Sequence, residues 1–158
     1  MATIKSLTGA GWLKDADDNF AAVNAELANL TGFHVTKFTF DTAANDAGTE
    51  PASNKTQAAH PLAVTIPDNA IVVYGWIDCV AAVTSDGSAT VAISLVNAND
   101  LLTATAKSSL GIKAQLPMAA VVAQPIKLEA AKPVTVTVGT ADLTAGKIDG
   151  YIVWVEGA

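Results

Sequence analysis

The hydrophobic pattern of this chain changes period once. From Leu13 to Leu30 the apolar residues Leu13, Ala16, Phe20, Val23, Leu27 and Leu30 recur at spacings of three and four. Those are the a and d positions of a heptad, which lie along one face of a helix. Asp15 suits an N-cap, and Asp17 and Asp18 fall in the first turn, where the positive helix end favours carboxylates. Gly32 can take the left-handed conformation that closes a helix. The spacing therefore predicts one amphipathic helix, roughly 22 Å long at about 1.5 Å per residue. So short a helix is marginal in water unless its apolar face is covered. Its flanking e and g positions, Asp17, Asn19, Asn24 and Glu26, hold no cation, which argues against parallel self-pairing. The seam is expected to lie against a β domain, its own or a neighbour's, or against a larger assembly.

From Phe33 onward the period is two. "FHVTKFTF" alternates, and "AIVVYGWIDCVAAV" is apolar on both faces in its first half, as a central strand would be. "SATVAISLV" sets Val91, Ile93 and Leu95 against Thr90, Ala92 and Ser94. "PVTVTVG" alternates Val134, Val136 and Val138 with Thr135 and Thr137, and "KIDGYIVWVE" is a last strand carrying Trp154. "LAVTI", "DLLTATA" and "PIKLEA" are weaker strand candidates. Turn chemistry separates these runs, and Asp86-Gly87 is the strongest hairpin signal. The pattern predicts a mainly β fold of about eight antiparallel strands, a sandwich or closed barrel, behind one N-terminal helix. The domain division is 1–32 for the arm and helix and 33–158 for the β domain. Two segments read as long loops, 41–61 and 105–118.

Composition narrows the partners. Charged residues are 15% of the chain, and its formal net charge is -6. Two explanations of the low charge stand side by side: surface buried against neighbours, or a surface covered by Ala, Thr, Ser and Asn. Only nine basic residues are present, and they are scattered, which argues against nucleic acid and anionic membrane as partners. "MATIKSLTGAGW" lacks the apolar core of a signal peptide, and the longest apolar run, "AIVVYGWI", is too short to span a bilayer. Cytoplasmic folding is the expectation, and the single Cys79 fits it.

No catalytic, metal or cofactor constellation emerges. Asp15, Asp17, Asn19 and Glu26 match ligand positions of a calcium loop, but Phe20 stands where that loop needs Gly. His34 and His60 lack further ligands at zinc spacing; His60 precedes Pro61 in a loop, His34 starts a strand, and both read as ordinary surface or edge histidines. Cys79, among Ile77, Val80 and Ala81, reads as a buried inert thiol. "GAG" at 9–11 lacks the rest of a dinucleotide fingerprint. Trp76 and Trp154 sit inside strands and read as core, although tryptophans can also build a sugar platform. Trp12 precedes the helix with nothing local to bury it. With Leu13, Phe20, Val23, Leu27 and Leu30 it forms the expected contact surface for other protein molecules. No enzymatic activity is expected.

"IPDNAIVVYGWIDCVAAVTSDGSATVAISL" and "PVTVTVGTADLTAGKIDGYIVWVE", behind "SLTGAGWLKDADDNFAAVNAELANL", resemble small structural proteins of tailed bacteriophages, the capsid decoration (cement) or head-fibre proteins. That resemblance implies an eight-stranded jelly roll that forms homotrimers and binds the major capsid protein on the outside of the head. The arm would then cover joints between capsid subunits and reinforce the shell. A rival expectation is a tail-fibre or receptor-binding head domain that recognises a host-surface glycan. It calls for an exposed aromatic or acidic groove. A second rival, a cupin-like enzyme or ligand binder, calls for a histidine-rich metal motif that the chain lacks.

Overall fold

The described residues form nine strands. The computed structural model describes residues 32–44, 54–118 and 124–157. In chain order the strands are β1 (Phe33–Asp41), β2 (Ala59–Ile66), β3 (Ala70–Thr84), β4 (Thr90–Ser94), β5 (Leu102–Ala106), β6 (Gln115–Pro117), β7 (Ile126–Lys127), β8 (Lys132–Gly139) and β9 (Ala145–Glu156). The helix expected before Phe33, and the contact residues assigned to it, lie outside the described residues.

Two sheets account for every strand. The first has the order β1-β9-β3-β6, with β7 also pairing β3; the second has the order β2-β8-β4-β5. β3 pairs antiparallel with β6, β7 and β9, and β8 with β2 and β4, as β4 does with β5. Period-two alternation gives each sheet one apolar face. Phe38 and Phe40 of β1, Ile77 and Cys79 of β3, and Ile148 and Ile152 of β9 are buried. So are Val91 and Ile93 of β4 and Val134, Val136 and Val138 of β8. Together with Leu101, Leu110, Met118 and Leu128 they make one continuous core. Full burial of each large side chain contributes about 1.5–3 kcal/mol relative to exposure. Pro61 of β2 and Pro117 of β6 lie in edge strands, where a missing N–H costs little, and Pro133 is the second residue of β8.

The connections depart from the hairpins that turn chemistry suggests. β3 belongs to the first sheet and β4 to the second, so Asp86-Gly87 is an arch between sheets and not a hairpin. Neither residue takes a positive φ, as a tight two-residue hairpin requires of its turn. Ser85 holds the arch instead: its hydroxyl accepts from the Gly87 N–H and donates to the Asp142 carbonyl, and its own carbonyl accepts from Lys107 Nζ.

Both expected long loops are shorter than the sequence suggested. Asp41 ends β1, and Ala59, His60 and Pro61 begin β2. The described flanks of that connection are anchored: Thr42 donates from N and from Oγ1 to the Gly146 carbonyl, and Asn54 Nδ2 donates to the Asp41 carbonyl at 3.0 Å. The 105–118 segment holds the end of β5, a 3-10 turn at Lys107–Ser109, and β6. The "PIKLEA" run contributes only the two residues of β7.

His60 is likewise not a surface loop residue. It is 1% exposed within β2. Its Nε2–H donates to the Thr56 carbonyl at 2.9 Å, and its ring lies 6.1 Å from that of Phe40.

Candidate functional site

Trp12, Leu13, Phe20, Val23, Leu27 and Leu30, the contact residues expected from sequence, all lie outside the described residues. Within the β unit, the surface with the most chemistry is the outer face of the first sheet. A change of phase in β3 builds it. The register shifts between Val72 and Tyr74, so the alternation that buries Val72 resumes with Gly75, Ile77 and Cys79 inward. Tyr74, Trp76, Asp78 and Val80 therefore point outward. The apolar look of both faces of "AIVVYGWI" comes from this bulge. Trp76 is thus half-exposed on the outer face, not a core residue, and Tyr74 is 42% exposed. Trp154 packs against the edge of the core, and its Nε1–H donates to Thr36 Oγ1 at 2.9 Å.

Two rows of side chains run across this face. In the first, Trp76 stands directly opposite Tyr151 of β9 and Pro117 of β6. The Trp76 and Tyr151 rings stack with centroids 5.0 Å apart and 16° between planes, and Tyr74 tilts against Trp76 at 5.9 Å. Lys37 Nζ of β1 covers the Tyr151 ring at 5.6 Å from its centroid, a cation–π contact.

In the second row, Asp78 stands opposite Asp149 of β9 and Gln115 of β6. Asp149 is well held. Lys37 Nζ reaches its Oδ2 at 2.6 Å, and Thr39 Oγ1 donates to its Oδ1 at 2.7 Å. Burial alone would raise the Asp149 carboxyl, but the hydrogen bonds from Lys37 and Thr39 and the charges of Lys37 and Lys147 overcome it and hold the group below its usual range. The same bond to Asp149 chiefly raises the Lys37 ammonium. A neighbouring ion pair joins Lys147 Nζ to Asp41 Oδ2 at 3.2 Å.

The outer face of the second sheet is different in kind. β2, β4 and β5 carry no aspartate, glutamate, lysine or arginine, and β8 carries only Lys132 at its start. Thr135 and Thr137 of β8 face Ser94 and Ala92 of β4 in register, with Pro61 and Ala59 of β2 on the other side. Here the low charge of the chain is expressed as a lawn of small side chains.

The groups with reactive potential are tucked away. The Cys79 thiol is buried, and burial, helped by the charge of Asp78, pushes it up. Among the described residues no group of three or more His, Cys, Asp or Glu could hold a metal ion.

Comparison with known proteins places the fold. No family model matches the chain, and no curated protein matches it in sequence. Solved structures do match in shape. A chain from the acidic stable capsid structure of Helicobacter pylori bacteriophage KHP30 aligns with a TM-score of 0.54 at 15% identity, over 80% of this chain and 89% of that one. A chain of the capsid of Ralstonia phage GP4 gives 0.55 at 18% identity, over 79% and 86%. A chain of the cyanophage Pam1 capsid asymmetric unit gives 0.53 at 11% identity, over 78% and 84%. The fold of this chain is therefore a two-sheet β-sandwich of the kind found in phage capsids.

Proposed function

We propose that this protein is a non-enzymatic structural component of a phage virion that binds the outside of the capsid and reinforces it by bridging neighbouring capsid subunits. The observation that carries the reading is the fold: three chains from phage capsids share it over 78–80% of this chain and 84–89% of theirs. Strand order supports a jelly roll. β6 and β7 both pair along the same strand, β3, at Trp76–Asp78 and at Ile71–Val72. Counted as one interrupted strand, they leave two four-stranded sheets, the eight-strand plan of a jelly roll. The burial of Cys79 and His60 inside strands fits a protein that works by contact and not by chemistry.

In this reading the apolar seam of Phe20, Val23, Leu27 and Leu30, with Trp12 and Leu13, is the anchor. Each joint it covers adds burial at about 25 cal/mol per Å2 of apolar area, before association costs. Assembly as a homotrimer would multiply the contacts and add avidity. The test is reconstitution. Purified protein added to heads that lack it should co-sediment at fixed stoichiometry. Deletion of residues 1–31 should abolish binding while the sandwich stays folded by circular dichroism, and Phe20→Asp or Leu27→Asp should act like the deletion, because a carboxylate in a dry seam is costly. Equal binding by the truncated form would remove the seam from the account, and no binding by the full chain would remove the capsid.

One observation favours a receptor-binding head domain instead: the outer face of the first sheet does expose aromatic rings. Sugars stack on open ring faces, however, and here Lys37 covers Tyr151 while Trp76 is flanked by Tyr151 and Tyr74. A glycan array probed with the labelled protein separates the two readings.

A further inference from the structure

The first sheet is bounded by β1 on one side and by β6 and β7 on the other, the second by β2 and β5. A free sheet edge is a template for another strand, and proteins blunt it with proline, bulges or very short strands. Every edge but β1 is blunted in this way. β2 carries Pro61 and a register irregularity before Thr65. β6 has three residues and ends in Pro117, and β7 has two. β5 has five, and its pairing with β4 shifts register between Val91 and Ile93. β1 is nine residues long, has no proline, and among the described strands pairs with β9 alone. Its one lysine does not guard the edge: Lys37 Nζ turns back over the sheet to Asp149 Oδ2 and the Tyr151 ring, both on β9. Val35, on the same face as Lys37, is 61% exposed.

We propose that β1 of one copy pairs antiparallel with β1 of a second copy, about a two-fold axis at Thr39, and joins the two first sheets edge to edge. An added strand must itself bring a free edge, and every copy of this chain brings this one. Its charges match as well. Lys37, Thr39 and Asp41 share one face of β1 by alternation, so with the axis at Thr39 each Lys37 faces Asp41 of the other copy. Within a copy Lys147 already pairs with Asp41, and Lys37 with Asp149. The contact therefore sets Lys147 and Asp41 of one copy in line with Lys37 and Asp149 of the next, a row of alternating sign that symmetry makes twice. Opposite charges facing across an antiparallel pair are favourable, and like charges are not. Moving the axis to Phe38 sets Lys37 against Thr39 and Asp41 against Val35, and moving it to Lys37 opposes the two ammonium groups. Each row sums to zero, so the net charge of -6 does not oppose the contact locally. The contact is two-fold, separate from the proposed trimer, and does not depend on the capsid reading.

The test is disulfide trapping of the full chain in solution, without heads. Cys79 is fully buried, so the parent should stay unlinked under mild oxidation. Thr39→Cys, opposite itself at the axis, should form a linked dimer on the order of tenfold faster than Val35→Cys, whose two copies would lie roughly 26 Å apart at about 3.3 Å per residue. Lys37→Cys should not link to itself, but mixed with Asp41→Cys it should give the mixed dimer. Circular dichroism checks that each variant is folded; should Thr39→Cys unfold because its hydroxyl no longer reaches Asp149, the mixture of Lys37→Cys and Asp41→Cys carries the test. Linking of Lys37→Cys to itself would move the axis, equal rates at positions 35 and 39 would mark random collision, and no dimer from either arrangement would leave β1 unpaired. Each of these overturns the proposal.

Discussion

The ring of Phe38 lies against the backbone of Gly150: a Cβ added at that glycine would fall 2.0 Å from Phe38 Cζ and 2.3 Å from its Cε1. Gly150 is the inward position of β9 opposite Ile77 of β3, so the absent side chain is what lets the aromatic ring fill the core there. Gly150→Ala should therefore overpack the core and cost about 1–3 kcal/mol, read as a lowered urea midpoint with an unchanged slope. Combining it with Phe38→Leu should recover part of the loss, a non-additivity that marks direct contact.

Asp100 closes the turn between β4 and β5 with its carboxylate. Oδ1 accepts from the Leu95 N–H at 2.7 Å, and Oδ2 accepts from the N–H groups of Val96 at 2.9 Å and Asn97 at 2.7 Å. Asp100→Ala leaves three donors without that partner, of which the one at Leu95 is part-buried. The expected loss is about 1–3 kcal/mol, seen by thermal denaturation, with faster amide exchange at residues 95–97. Asp100→Asn keeps one acceptor oxygen and should fall between the two.

Acid should loosen the first sheet at its β1–β9 side. Asp149 is held low against the opposing effect of burial by Lys37 and Thr39, and Asp41 is held low chiefly by the Ala43 N–H and then by Lys147. A carboxyl whose folded value lies below its unfolded value of about 3.9 contributes stability above that pH, and the contribution disappears as pH falls through the folded value. Stability should be flat near neutrality and drop below about pH 4. In Asp149→Asn the drop should be shallower, as a melting-temperature series from neutral pH downward would record.

Much of the sandwich is legible in the sequence because burial on one face imposes a period of two. Val134, Val136 and Val138 give β8 its inward side, and Phe38 and Phe40 do the same for β1. What the pattern cannot carry is partner choice. Asp86-Gly87 marks a reversal of the chain, but turn residues do not say which sheet the next strand enters, and here it enters the other one. β6 and β7, at three and two residues, are too short to show a period and exist because β3 offers them an edge. Trp76 lies on the outer face and not in the core for a related reason. Its environment depends on phase, and the bulge after Val72 resets the phase. Asp78, two residues on and so on the same face, was the available signal that this side of β3 meets water. His60 looked exposed because Pro61 suggests a loop, whereas an edge strand tolerates proline.

The placement of β9 between β1 and β3 has a consequence for how the protein is made. One of the two inner slots of the first sheet is filled by β9, the last of the nine described strands to leave the ribosome. Until then β1 and β3 have no bridge between them, and the apolar inner face of that sheet cannot close over the second. The first sheet must stay open until the residues around Ile148 and Ile152 have emerged, and closure of the sandwich waits on them.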